Sequence, residues 1–453
     1  MDTRAVFKAY DVRGTYPDQL NEELARALGS AFATFIDRPS LVMARDMRES
    51  GVALSRAFAE GARSRGVSVT DLGLASTDLL YFASGYLDEP GVMFTASHNP
   101  ARYNGVKFCG PGASPVGSAS GLDEIERLTR HYLDQPASGP LAPRASRDLT
   151  AEWVAHVHSF VDRSSLRPLR VVADAANAMG ALVAPAVFAG LPFDLEILYG
   201  DLDGSFPHHP ADPLNPANLV DLQRRVLATG ADVGLAFDGD ADRVFLIDER
   251  ARPVSGSTTT ALVASVMLQR HRGATVLYNL ICSRAVPEVI DECGGVGVRT
   301  RVGHSFIKQV MAETGAVFGG EHSGHYYYRD NYRADSGIIT ALIVLEALAR
   351  SERPLSSLVA PLERYASSGE VNVAVPDAPA AAARLAAYWG ARSATLEEVD
   401  GLSVTTDDAW FNVRSSNTEP LMRVNVEARD AARCAATLAE VVAVLDPTSE
   451  AVR

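Results

Sequence analysis

Three carboxylates stand at alternate positions in Phe237-Asp238-Gly239-Asp240-Ala241-Asp242-Arg243. Hard divalent cations take several oxygen ligands, and alternate positions on a curved loop can place three on one ion. Charges this close repel when unpaired, so a divalent cation is their natural neutraliser. The bland alternative is a solvated acidic turn. An EF-hand fits part of the spacing, with Asp238, Asp240, Asp242 and Glu249 at its first, third, fifth and twelfth places. It fails at the sixth place, where Arg243 replaces the required Gly, and at the flanks, which read as strands. Arg243 beside a cation suits anion binding instead. A second candidate is Ser97, in Thr95-Ala96-Ser97-His98-Asn99-Pro100. It follows the apolar run Gly91-Val92-Met93-Phe94 and precedes an Asn104-Gly105 turn signal, so it sits where a strand ends and a loop begins. A serine there can act as a nucleophile, although most loop serines only cap or form turns.

Two further stretches carry short polar groups. Gly319-Gly320-Glu321-His322-Ser323-Gly324-His325 is a glycine-bounded loop whose Glu, Ser and His offer donors and acceptors to hydroxyl groups. Alone, a turn with incidental polar residues explains it as well. Upstream, Gly303-His304-Ser305 opens a helix with an imidazole near its start. Arg414-Ser415-Ser416-Asn417-Thr418-Glu419-Pro420 sets an arginine beside several short donors, which is what phosphate oxygens require. An ST-turn on the surface is the competing account.

These loops need elements to hold them. Helical spacing of Leu24, Leu28, Phe32 and Phe35 and strand-like runs at 41–44 and 67–70 predict alternating strands and helices, hence β-α-β crossovers and a largely parallel sheet. In such sheets ligands bind at the carboxyl ends of strands, where Ser97 lies. A Pro-rich stretch, 134–148, reads as a linker. The loop from Asp203 to Asn215, rich in Pro, His and Asp, reads as exposed. Boundaries near Arg252-Pro253 and Arg353-Pro354 complete the division. The expected architecture is three similar mixed or parallel α/β domains, 1–145, 146–250 and 251–366, plus a C-terminal α+β domain, 367–453, around a central cleft.

The chain has 453 residues, 47% of them hydrophobic, with a net charge of −14. That charge argues against nucleic-acid binding, and an anionic substrate must be drawn by local Arg and Lys. Cys109, Cys282, Cys293 and Cys434 show no C-x-x-C spacing and are expected to be buried, reduced thiols. No signal-peptide pattern and no membrane-length apolar run appears, so a cytoplasmic protein without membrane contact is expected. Composition does not choose between monomer and dimer.

Together, in this order, the four loops and the early Lys8-Ala9-Tyr10-Asp11-Val12-Arg13-Gly14 resemble the α-D-phosphohexomutases of the phosphomannomutase/phosphoglucomutase type, over the whole chain. The resemblance implies that Ser97 carries a phosphoryl group and that Mg²⁺ is held by it with Asp238, Asp240 and Asp242. It implies that Glu321 and Ser323 grip sugar hydroxyls, and that Arg414, Ser416, Asn417 and Thr418 hold the non-reacting phosphate. Arg13, Arg243, Tyr10 and His304 would contact the phosphosugar, with Lys107 and His325 as candidates for proton transfer. The implied reaction interconverts hexose 6-phosphate and hexose 1-phosphate, of mannose and also glucose, through a hexose 1,6-bisphosphate that also serves as activator. A glucosamine-phosphate mutase, a Ser/Mg²⁺ sugar phosphatase and a non-enzymatic sugar-phosphate sensor are the rival readings. One departure stands out: Asn279-Leu280-Ile281-Cys282-Ser283 lacks the Lys or Arg that some family members carry there, leaving Arg284 and Arg301 as substitutes.

Overall fold

The structure is a computed structural model, which describes residues 3–136, 138–392, 394–415 and 421–446. Ser416, Asn417 and Thr418, and the side chain of His304, lie outside the described residues.

Period-3.6 apolar spacing and side-chain caps account for the helices. In Glu22–Ile36, Leu24, Leu28 and Phe32 face the core, and the Asn21 side chain accepts from the Leu24 amide. The first sheet runs Val12–Thr15, Tyr103–Gly110, Gly91–Phe94, Ser40–Arg45, Ser68–Leu74, Arg144–Ser146. The second runs Pro253–Val254, Val244–Asp248, Val233–Phe237, Leu169–Asp174, Phe193–Leu198. The third runs Val296–Thr300, Thr275–Asn279, Phe318–Gly320, Tyr326–Tyr328. The fourth is wholly antiparallel, from Ala366–Ala374 through Leu421–Ala428, Ala409–Ser415 and Leu402–Thr405 to Thr395–Glu398. Two helices, Ala378–Gly390 and Ala431–Leu445, pack on it, an α+β arrangement.

The first three sheets are mixed, and the mixing has a consistent form. Each has a parallel part built by crossovers and an antiparallel pair attached to it. Gly91–Phe94 pairs with Tyr103–Gly110, Val233–Phe237 with Val244–Asp248, and Phe318–Gly320 with Tyr326–Tyr328. The connections within these pairs are the loops of Ser97, Asp238–Arg243 and Glu321–His325. A hairpin returns directly beside its own strand, so its loop stays at the strand's carboxyl end, whereas a crossover carries the chain away over the sheet face. The flanking strands also dispose of the EF-hand, which needs helices.

Two expectations change. The stretch 134–148 is not all linker, because Arg144–Ser146 pairs in parallel with Ser68–Leu74 and extends the first sheet. Its three residues are exposed, so no hydrophobic alternation marks it. Of the four thiols, Cys109, Cys282 and Cys434 are buried and free, but Cys293 is exposed.

One apolar core spans the first three domains, joining Val42 and Met93 to Val171 and Leu235 and on to Ile339 and Leu342. The fourth domain has its own core, around Trp389, Phe411 and Val424. Its contacts with the third are polar: Arg299 pairs with Glu397, the Val302 amide donates to Asp400 (3.4 Å) and the Arg284 amide to Glu427 (2.9 Å). Polar contacts of this kind favour relative domain motion. Among the described residues no helix is long and apolar enough to cross a membrane.

Candidate active site

The strand Gly91–Phe94 is buried on every residue and delivers the Ser97 loop to the sheet's end. There Thr95 Oγ1 accepts from the Ser97 amide (2.9 Å), and Ser97 takes a left-handed backbone with φ of 48°. That conformation is uncommon for a residue with a Cβ and is held by surrounding contacts. Ser97 Oγ donates to Asp238 Oδ2 at 2.8 Å, and Arg243 Nη2 donates to the same hydroxyl at 3.2 Å. The two loops touch along their backbones as well. A Cβ on Gly239 would lie 2.2 Å from the Ser97 carbonyl oxygen, so only glycine allows the approach.

The acidic trio is inside the protein, not on a solvated turn. Asp238, Asp240 and Asp242 are at most 1% exposed, and their ligating oxygens lie within 4.8 Å of one another. Lys107 Nζ sits between them, 2.7 Å from Asp240 Oδ2 and 2.7 Å from Asp242 Oδ2. Thr77 Oγ1 donates to Asp240 at 2.5 Å. Arg243 pairs with Asp238 at 2.8 Å. Yet Oδ1 of Asp240 and Oδ1 of Asp242 are buried without a hydrogen-bond partner. Two cationic side chains against three carboxylates leave one negative charge over, and a phosphoryl group on Ser97 would add almost two more. Buried orphan oxygens and surplus negative charge fit a hard divalent cation.

The electrostatics follow from burial. Desolvation raises the Asp238 carboxyl above its ordinary value, with Arg243 working against it. Burial also pushes Asp240 upward, but the charge and hydrogen bond of Lys107 and the Thr77 hydroxyl outweigh it, leaving Asp240 well below the usual range. Lys107 is lowered by burial and raised by Asp240 and Asp242, which win. His98 is driven down to about 2 by burial and by the neighbouring Arg243 and Arg13. It is therefore neutral and accepts from Arg243 Nη2 at 2.6 Å.

His325 joins this cluster from the third domain, through a backbone bridge to Arg243. Its Nδ1 is 2.8 Å from Asp335 Oδ2 and 3.8 Å from Asp242 Oδ1. Burial lowers its pKa, but Asp242 and Asp335 reverse the sign and raise it. Behind Asp335, the buried Lys308 lies 3.5 Å from Oδ1 and 3.7 Å above the Tyr81 ring. Arg13 donates to Asn99 Oδ1 at 2.7 Å and pairs with Asp11.

A second group lies alongside. Glu321 Oε1 accepts from Asn279 Nδ2 (3.2 Å) and the Gly303 amide (3.3 Å), and Oε2 accepts from Tyr327 OH (2.9 Å). Ser323 is half-buried at the turn. Tyr10 OH donates to the Val302 carbonyl at 3.4 Å and its ring meets Phe306 edge-on. Burial and Asp400 raise Tyr10, while Arg301 and Arg414 pull the other way, so the first, third and fourth domains bear on this point. Arg414 Nη2 is held by Glu370 at 3.0 Å. Of the two basic substitutes, Arg301 lies over Phe306 beside Tyr10, whereas Arg284 lies over Tyr365.

Ser97, Lys107, Asp238, Asp240, Asp242, Arg243 and His325 thus form one connected cluster. Sequence reasoning missed Thr77, Asn279, Lys308, Asp335 and Tyr327. All are buried polar groups without a spacing signal, and only their partners mark them out.

Comparison with known proteins agrees with this architecture. The models for phosphoglucomutase/phosphomannomutase alpha/beta/alpha domains I, II and III match residues 4–135, 151–252 and 255–365. The model for that family's C-terminal domain matches residues 370–444. The chain is 40% identical over 430 residues to a protein of Xanthomonas campestris pv. campestris named phosphohexose mutases, covering 94% of this chain and 96% of that one. It is 35% identical over 431 residues to a phosphomannomutase of Escherichia coli K12, covering 93% and 94%. The crystal structure of a phosphoglucomutase/phosphomannomutase family protein from Burkholderia thailandensis superposes with a TM-score of 0.89 at 30% identity, covering 99% of both chains. The chain belongs to the phosphoglucomutase/phosphomannomutase family, enzymes that interconvert sugar phosphates.

Proposed function

We propose that this enzyme interconverts hexose 6-phosphate and hexose 1-phosphate, of mannose and also of glucose, with Ser97 as the phosphoryl carrier. The observation that supports it most directly is the 2.8 Å hydrogen bond from Ser97 Oγ to Asp238 at the rim of the acidic trio. Relatives named for mannose and for phosphohexoses support the substrate class.

Phosphoryl transfer asks for positioning and charge neutralisation more than for covalent chemistry. Phosphorylated Ser97 gives its group to the free sugar hydroxyl: the Oγ–P bond breaks, a P–O bond to the sugar forms, and the hydroxyl proton leaves to a base. Lys107 and His325 are the candidates for this proton transfer, one as base and the other as acid. The 1,6-bisphosphate turns over in the cleft, and its other phosphate returns to Ser97. Arg243, whose guanidinium already reaches Ser97 Oγ, neutralises the group on the serine. Mg²⁺, held by Asp238, Asp240, Asp242 and the serine phosphate, would add further charge neutralisation. Glu321 and Ser323 take sugar hydroxyls, with Tyr10, Arg13 and His304 around the substrate. The loop of Arg414, Ser416, Asn417 and Thr418 takes the distal phosphate. One loop comes from each of four units, 1–145, 146–250, 251–366 and 367–453. A hexose 1,6-bisphosphate activates the enzyme by phosphorylating Ser97.

A phosphatase would pass the phosphoryl group of the serine to water instead of to a sugar hydroxyl. The test is kcat/KM on mannose 1-phosphate, glucose 1-phosphate and glucosamine 1-phosphate, primed with hexose 1,6-bisphosphate, with inorganic phosphate followed in parallel. Isomerisation of the mannose and glucose compounds without phosphate release is expected. Phosphate release matching isomerisation, or preference for the glucosamine compound, would replace this reading.

A further inference from the structure

The strand Ser40–Arg45 runs on into Asp46-Met47-Arg48, and Arg48 is 1% exposed. A guanidinium has five N–H donors in a rigid fork. Here all are engaged. Nη2 donates to the carbonyls of Ser97 (2.8 Å) and Asn99 (2.6 Å), and Nη1 to those of Pro100 (2.9 Å) and Tyr103 (3.0 Å). Nε pairs with Asp46 Oδ2 at 3.2 Å, while Asp46 Oδ1 accepts the Arg48 amide at 2.9 Å. Four carbonyls of the nucleophile loop therefore converge on one planar cation.

The second domain reaches the same residue. Phe206 presents its ring to the guanidinium at 5.1 Å, and Gly204 lies so close that a Cβ there would be 2.9 Å from Arg48 Cα. The Ser97 carbonyl is thus confined between Arg48 Nη2 on one side and Gly239 on the other. With its carbonyl fixed and φ at 48°, the serine has its side-chain direction set toward Asp238.

We propose that Arg48 is a positioning residue for the nucleophile: by holding the carbonyls of Ser97, Asn99, Pro100 and Tyr103 it aims Ser97 Oγ at the acidic trio, and Phe206 orders Arg48 from the second domain. This rests on the reading of Ser97 as phosphoryl carrier. Lysine keeps the charge but has three donors on one atom and does not reproduce the fork.

The test uses Arg48→Lys, Arg48→Met, Phe206→Ala and Ser97→Ala in the full chain. It measures kcat and KM for mannose 1-phosphate with bisphosphate primer, and the folded fraction by circular dichroism at the assay temperature. Misplacement by about 1 Å costs about 100-fold, so Arg48→Lys should lose about that in kcat with KM held within about threefold. Phe206 is partly exposed on a loop, so Phe206→Ala should fold and lose about fivefold in kcat alone, a fraction of that misplacement. Folded Arg48→Lys with kcat within twofold of the parent overturns the proposal. If the Arg48 variants do not fold, an unchanged kcat in Phe206→Ala overturns it. Activity surviving in Ser97→Ala would instead remove the underlying reading.

Discussion

Ser97 Oγ and Asp238 Oδ2 lie 2.8 Å apart, although 141 positions separate them in the chain. The serine ends a strand of the first sheet and the aspartate ends a strand of the second. Their meeting requires both hairpins to open toward the same side of a shared core, and Gly239 to lack a side chain where the backbones touch. Serine, acids and counter-cations then occupy one buried volume, in which each electrostatic interaction is stronger than it would be in water.

Ser97→Ala should abolish mutase turnover, by on the order of 10⁴-fold or more, since removal of a nucleophile leaves only binding and electrostatic contributions. The fold should persist, because the hydroxyl's hydrogen bonds with Asp238 and Arg243 are worth only about 1 kcal/mol each. Steady-state assays together with thermal melts check both halves; full activity in this variant would refute the assignment.

Chelation should stop turnover and added Mg²⁺ should restore it. Calorimetric titration of Mn²⁺ provides a readout independent of activity. Asp240→Asn, which replaces an orphaned buried oxygen of the trio, should weaken Mn²⁺ binding by about tenfold or more. Equal affinity in parent and variant would take Asp240 out of the cation site.

Gly239→Ala should be more damaging than its size suggests. The new methyl would meet the Ser97 carbonyl at 2.2 Å, so one of the two loops must retreat. Overpacking of this kind costs about 1–3 kcal/mol, and loop displacement should lower kcat by about 100-fold. A thermal melt and kcat both unchanged would show that the loops tolerate separation.

Stability should depend on His209 in an acid-side window. Burial lowers this imidazole, but its 3.0 Å contact with Asp174 Oδ2 outweighs that and raises its pKa. A raised folded-state value means that protonation favours the native state. The contribution is complete below the unfolded histidine value and is lost as pH rises through the folded one. Denaturant midpoints of the parent minus those of His209→Gln should be larger at pH 5.5 than at pH 8.5. A difference that grows with pH would reverse the assigned sign.

Much of this was legible in the linear chain where a physical reason ties function to neighbouring positions. Asp238, Asp240 and Asp242 can be read as one set because alternation along a tight loop brings their carboxylates together whatever lies beyond it. Leu24, Leu28 and Phe32 announce a helix because one face must be buried. Arg144–Ser146 escaped notice because a strand exposed on all three residues carries no alternation. The hairpins escaped because short apolar runs look alike whether the chain returns antiparallel or crosses over.

By itself the sequence determined the loops, their chemistry and their order, since these depend on residue types within a few positions of one another. Tertiary structure alone decided which distant side chains complete the site. Lys107 between two aspartates, Asp335 behind His325 and Arg48 behind Ser97 are pairings of single residues from different elements. No spacing rule encodes such pairs, because what selects them is the need to satisfy buried charge and hydrogen bonds after the sheets have packed.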